Sequence, residues 1–158
     1  MSTAQQPEHH RSVQLRRTSL GRYAATNARG GTLELGTGED AAFTPVEALL
    51  AAIGGCTMVD VDHLTSRRAE PVRFSVEVGG DKVKVDGEAR LEGLTVTWEV
   101  TFPDGPAGDE ARRVLPDAIR RSHDRLCTVG RTVEVGTPVA NIVSGEEPRR
   151  ERVRPDAE

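Results

Sequence analysis

Aromatic side chains are scarce in this sequence. They make up 3% of 158 residues, and hydrophobic residues of all kinds reach only 36% against 29% charged. That is thin core material for one domain of ordinary size, and it favours a chain that completes its core with a partner subunit. Basic excess is also lacking. The net charge is −4, and the short runs Arg16-Arg17, Arg67-Arg68 and Arg120-Arg121 are interleaved with acids, so solvated faces explain them better than a nucleic-acid partner does. No stretch approaches the about 18 uninterrupted apolar residues of a membrane span. The first residues, MSTAQQPEHHRS, lack the apolar segment of a secretory signal. No membrane role is expected, and the cytoplasm is the default location.

Cysteine and histidine are few. Cys56 and Cys127 lie 71 positions apart and only four histidines accompany them, a poor set for zinc, so neither a metal nor another cofactor is expected. In a reducing compartment a permanent structural disulfide is a poor explanation for two cysteines, which leaves redox work as the leading reason for them. The plain alternative is that each is a small buried residue, since free cysteine is among the most buried types.

Both ends read as loose: residues 1–11 are polar, and 145–158, GEEPRRERVRPDAE, are charged and contain proline. Between them, residues 12–144 read as one α+β domain. Val13, Leu15 and Arg17 alternate with their neighbours, and Arg22–Thr26 and Thr32–Leu35 flank the turn Arg29-Gly30-Gly31. Thr44-Pro45-Val46-Glu47 is a strong helix start, with a capping residue, proline at the first helical position and an acid where a capping box needs one. The helix runs to about Arg68 and is apolar almost all round in its first half, which predicts a buried central helix. Alternation at Phe74, Val76 and Val78, then at Val83 and Val85, then from Leu94 to Phe102, predicts a β meander. A second helical region spans Asp109–Leu126, with Pro116 expected to kink or split it. Thr132–Val143 is expected to return as a final strand or two. The class is an antiparallel sheet with one long buried helix.

Two adjacent glycines, Gly54 and Gly55, precede Cys56 inside the predicted helix. Each costs about 1 kcal/mol relative to alanine, a cost tolerated where another element or a ligand must approach the backbone. The segment Phe43–Thr57, FTPVEALLAAIGGCT, resembles the central-helix motif of the OsmC/Ohr family, and Ser122–Val129, SHDRLCTV, resembles its second-cysteine motif. Order, separation and intervening strands agree as well, and the resemblance spans about residues 12–143. Around Cys127 and before the helix the sequence fits the broader OsmC-like branch better than the Ohr or OsmC branches proper.

The resemblance implies an intertwined homodimer with two sites at the subunit interface, and a thiol-dependent reductase for organic hydroperoxides. Cys56 would be the attacking thiol and Cys127 its resolving partner, with an external dithiol, in some members a lipoyl group, as reductant. It also implies an arginine from the N-terminal strands that activates the thiol and a glutamate that holds that arginine. Arg22 is the first candidate and Arg29 the second. Glu47 is the glutamate, although its position nine residues before Cys56 puts it on the opposite helix face, about 13.5 Å along the axis, unless a π-bulge at Gly54-Gly55 intervenes; a cap explains Glu47 equally well. Cys56, Asp60, His63 and Arg67 fall on one helical stripe, which also suits a polar stripe leading to the exposed end. His123 is placed at the pocket mouth. The alternative function is an OsmC-like protein that binds a small ligand, or senses redox state, in the same pocket without efficient catalysis. A protein-disulfide oxidoreductase is disfavoured because no C-x-x-C is present.

Overall fold

The structure, a computed structural model, describes residues 9–143. Most of the expected loose N-terminus, 1–11, and all of the tail, 145–158, lie outside the described residues. The class is α+β. Strands β1 (Val13–Ser19), β2 (Arg22–Asn27) and β3 (Thr32–Leu35) form an antiparallel sheet in that order. Asn27 closes the second turn, its Oδ1 accepting the N–H groups of Arg29 and Gly31 at 2.9 and 3.0 Å.

Helix α1 (Pro45–Thr65) starts as its sequence dictates. Thr44 Oγ1 accepts the Glu47 N–H at 3.2 Å, and Glu47 Oε2 accepts the Thr44 N–H at 2.7 Å, a complete capping box. The helix is only half buried. Ile53, Gly54, Thr57, Val61 and Thr65 face inward, whereas Ala51, Ala52, Gly55 and Val59 are exposed, Val59 at 57%. The expected all-round burial therefore does not occur within one chain, because the hairpin and the later helices cover a single flank. Its most apolar 18-residue window has a mean hydropathy of 1.2, enough by length and composition for a marginal membrane span. The expectation that no stretch comes near a span is corrected to that extent. The side chains of Thr57 and Asp60 nonetheless hydrogen-bond to Ser122, and α1 packs on neighbouring elements as a core helix does.

Strands β4 (Arg73–Val85) and β5 (Glu88–Thr101) form one long antiparallel hairpin, not the expected three-strand meander. The first two expected strands are one: the chain passes straight through Gly79-Gly80 with a bulge between Gly79 and Asp81. The reversal falls at Asp86-Gly87, where both residues take positive φ (51° and 85°), the geometry of a tight two-residue hairpin turn. Phe74, Val76 and Val78 pair with Val100, Trp98 and Val96, and Phe74 and Trp98 meet edge to face at 5.9 Å. That apolar face lies against α1.

Helix α2 (Pro106–Arg121) is continuous through Pro116, against the expected split. Pro116 lies on the solvent side, where the carbonyl deprived of its partner can bond water. The break comes later, as a π-helical turn at Ser122–Leu126. Beyond it, α3 (Thr128–Glu134) replaces the start of the expected final strand, and among the described residues no strand follows. Val129 and Val133 have helical spacing. Thr132 Oγ1 bonds the Thr128 carbonyl at 2.7 Å and Arg131 pairs with Glu134 at 2.7 Å, which together favour the helix locally.

Helix α1 packs on β4, α2, the π-helical turn and α3, whereas the N-terminal sheet makes at most marginal contact with any of them. That sheet leaves Val13, Leu15, Leu20 and Leu33 exposed. Within one chain, then, the N-terminal sheet and the outer stripe of α1 present uncovered apolar surface.

Candidate functional site

Helix α1 and the π-helical turn bring the two cysteines together. Cys56 is half-exposed on the flank of α1, and Cys127, 3% exposed, lies at the end of the turn; neither is in a disulfide. The Cys127 thiol is pushed above its ordinary pKa, chiefly by burial and further by hydrogen bonding and charge from Cys56 and by the Asp60 carboxylate. The Gly130 N–H, donating to Cys127 Sγ at 3.3 Å, opposes the shift. A thiol held in its protonated form is a poor nucleophile and metal ligand.

Three polar side chains stand behind this pair. Thr57 Oγ1 and Ser122 Oγ are 2.8 Å apart, and Ser122 Oγ donates to Asp60 Oδ2 at 2.8 Å. Ser122 is completely buried. Its carbonyl accepts the Cys127 N–H at 2.9 Å, the long-range bond that makes the turn π-helical. Ser122 and Thr57 were not singled out from the sequence. A π-helical turn has no sequence signature, and Asp60, one helical turn after Cys56, was legible only as a member of a stripe.

A cavity of about 360 Å³ opens beside Cys127, between the hairpin face and the helices. Val78, Val96 and Trp98 line its hairpin wall, and Ile53 and Ile119 its helical wall. His123 and Glu134 also line it, with His123 Nδ1 3.4 Å from Glu134 Oε1. His63 turns away: its Nδ1 meets the Val59 carbonyl at 2.7 Å on the exposed side of α1.

The other expected site residues lie elsewhere in the single chain. Arg22 forms an ion pair with Asp40, in the loop before α1. Arg29 is exposed in its turn. Glu47 is engaged by the Thr44 N–H and hydroxyl, which hold its pKa below the ordinary value. Helix α1 shows no π-bulge at Gly54-Gly55 that would rotate Glu47 toward Cys56. Among the described residues no group of three or more His, Cys, Asp and Glu side chains is arranged to hold a metal ion.

Comparison with known proteins decides the family. The sequence pattern described as OsmC-like protein matches residues 36–141 and so includes both cysteines. The chain belongs to the OsmC-like family. An uncharacterized protein of Mycobacterium tuberculosis is 32% identical over 125 residues, covering 78% of this chain and 88% of that protein. Among solved structures, the OsmC-like protein from Mycoplasma pneumoniae superposes with a TM-score of 0.63 at 15% identity, covering 81% of this chain and 89% of that one. An organic hydroperoxide resistance protein from Elizabethkingia anophelis superposes at 0.50 with 15% identity, covering 80% and 91%. These likenesses establish the OsmC-like fold.

Proposed function

We propose that this OsmC-like protein reduces organic hydroperoxides with Cys56 as the attacking thiol and Cys127 as the resolving thiol. The observation that carries the reading is the pairing itself: two cysteines 71 positions apart meet, one half-exposed and the other buried with its thiol form favoured. In the first step the Cys56 thiolate attacks the terminal peroxide oxygen. The O–O bond breaks, the alkoxide takes a proton and leaves as the alcohol, and Cys56 becomes a sulfenic acid. The Cys127 thiol then attacks that sulfur, a disulfide forms and water departs. An external dithiol, of the lipoyl type in this reading, returns both sulfurs to thiols by exchange. No cofactor or nucleic acid takes part.

The apolar cavity suits an alkyl chain, and the relative named for organic hydroperoxide resistance is consistent with that substrate class. The working unit is a homodimer in the cytoplasm. The uncovered stripe Ala51, Ala52, Gly55 and Val59 on α1 and the apolar residues left open on the N-terminal sheet supply its interface. In that assembly an N-terminal sheet brings Arg22 to Cys56, exchanging Asp40 for the thiolate, with Glu47 as the carboxylate that holds it. Arg29 is the alternative cation.

A second reading has one observation in its favour. The cavity is lined by Cys127 and not by Cys56, so a small apolar ligand can occupy it without meeting the attacking thiol. The protein would then be a binder or a redox sensor. Titration of the reduced protein with cumene hydroperoxide and with hydrogen peroxide, counting thiols and mapping new bonds by mass spectrometry, separates the two. Rapid loss of two thiols per chain to a Cys56–Cys127 bond, faster with the organic peroxide, supports the reductase. Thiols that oxidise no faster than free cysteine would remove the peroxidase reading and leave the binder.

A further inference from the structure

The Asp60–Ser122–Thr57 network has no place in the two-cysteine chemistry as written. From its geometry we infer that Asp60, Ser122 and Thr57 are positioning residues, a clamp between α1 and the π-helical turn that sets Cys127 against Cys56. The inference rests on the two-cysteine reading and adds to it the groups that make the second step intramolecular.

Ser122 is the joint. Its hydroxyl donates to Asp60 Oδ2 at 2.8 Å and meets Thr57 Oγ1 at 2.8 Å, both on α1, while its carbonyl accepts the Cys127 N–H at 2.9 Å. One residue thus ties the cysteine-bearing end of the turn to the helix that carries the other cysteine. Asp60 is one turn after Cys56 and Thr57 directly follows it, so the clamp and the attacking thiol ride on one rigid element. Ser122 is 0% exposed, and a buried hydroxyl is costly unless its bonds are satisfied, which here they are on both sides. A hydrogen bond to a carboxylate is among the stronger kinds, and orientation of reacting groups has large rate consequences.

The charge on Asp60 adds a second effect. Asp60 is held by the hydroxyl of the same Ser122 whose carbonyl takes the Cys127 N–H, and from there its charge disfavours the Cys127 thiolate, after burial and the neighbouring Cys56, so that Cys127 competes less with Cys56 for the peroxide. The groups around Cys127 from each packed element are Cys56 and Asp60 on α1, the Gly130 N–H on α3, His123 on the turn and Glu134 on α3. The hairpin wall contributes only apolar residues, Val78, Leu94, Val96 and Trp98.

Ser122→Ala and Asp60→Asn test the two effects separately. Diamide oxidises the two thiols to a disulfide without peroxide chemistry: one thiolate adds to its N=N bond and the second displaces the hydrazine, so the rate of that second step reports placement. Ser122→Ala, with its fold checked by circular dichroism, should slow Cys56–Cys127 bond formation about tenfold, the worth of one charge-assisted hydrogen bond. With stoichiometric cumene hydroperoxide the same variant should shift product from disulfide toward dimedone-trapped sulfenic acid by a similar factor. Wild-type rates in both assays overturn the clamp. If wild-type protein ignores peroxide, the hydroperoxide reading fails, yet the diamide rate still supports or overturns the clamp. Asp60→Asn keeps the shape and an acceptor oxygen for Ser122 while removing the charge. In a Cys56→Ser background it should move the pH profile of Cys127 alkylation to lower pH, and further than Ser122→Ala does, since Ser122→Ala loosens the packing around Cys127 but keeps the Asp60 charge. An unmoved profile overturns the charge effect.

Discussion

Gly54→Ala gives a direct measure of how tightly α1 is pressed against the hairpin. A β-carbon at Gly54 would stand 2.8 Å from Val78 Cγ2 and 3.2 Å from Val76 Cγ2. Carbon atoms pack best at about 3.5–4.0 Å, so roughly 0.7 Å must be found at the first contact. Val78 is β-branched and stiff at χ1, and its strand is paired along β5, so the side chain cannot swing aside cheaply. Overpacking of this kind costs about 1–3 kcal/mol. Alanine in place of glycine in a helix returns about 1 kcal/mol. The expected net is therefore a loss of about 0–2 kcal/mol. The sharper expectation is a change of sign. In a Val78→Ala background the near methyl is gone, the helix preference dominates, and Gly54→Ala should stabilise by up to about 1 kcal/mol. Urea denaturation at one fixed protomer concentration, followed by Trp98 fluorescence and by circular dichroism, measures all four variants of the cycle. Equal effects of Gly54→Ala on the two backgrounds would refute the contact as the reason for this glycine. So would stabilisation on the wild-type background.

Gly55 has nothing within 4 Å inside its own chain. Gly55→Ala should weaken self-association, visible as a larger monomer fraction in sedimentation at low concentration. A dimer of unchanged affinity would remove this face of α1 from the interface. Thr44→Ala breaks the capping box and should cost about 1 kcal/mol at neutral pH. Glu47 is held below its ordinary pKa by the Thr44 N–H and then its hydroxyl, so its part in the cap is present above the unfolded glutamate value, about 4.3, and is lost as pH falls through the folded value. The gap between wild type and Thr44→Ala should therefore narrow in acid without closing, because the Glu47 N–H still bonds Thr44 Oγ1 when the carboxylate is protonated, which thermal melts across pH 3–7 (an experimental range of about four units) will read. Arg22→Ala should slow peroxide oxidation of Cys56 about tenfold in stopped-flow thiol assays, as loss of one charge-assisted contact implies, while Arg29→Ala should leave it unchanged. The reverse pattern would make Arg29 the activating cation.

Local chemistry made much of the fold legible. Thr44-Pro45-Val46-Glu47 announced the start of α1, and the structure shows the reciprocal cap. Alternation at Phe74, Val76 and Val78 and from Val96 to Val100 fixed one face of the hairpin, since a period of two admits only one buried side. Errors arose where a local signal had two readings. Gly79-Gly80 can turn or bulge, and the pairing partner across the ladder decides which. Val133 and Val135 alternate like a strand, but Val129 and Val133 also fit a helix, and the hydrogen bond of Gly130 N–H to Cys127 Sγ starts that helix. Pro116 removes one helix hydrogen bond and crowds the turn before it, but on the exposed face of α2 the freed carbonyl can bond water and the helix continues.

The sequence by itself determined the family, the two cysteines worth attention and the helix that carries the first, because motif, spacing and capping are properties of neighbouring residues. Only the tertiary structure decided what surrounds those cysteines. The contact of Cys56 with Cys127, the burial that holds Cys127 as a thiol, and the Asp60–Ser122–Thr57 network each join residues more than 60 positions apart. They depend on a π-helical turn that no local pattern encodes. Such contacts form when distant apolar faces are buried together, and the polar groups carried in with them must then find partners in the dry interior.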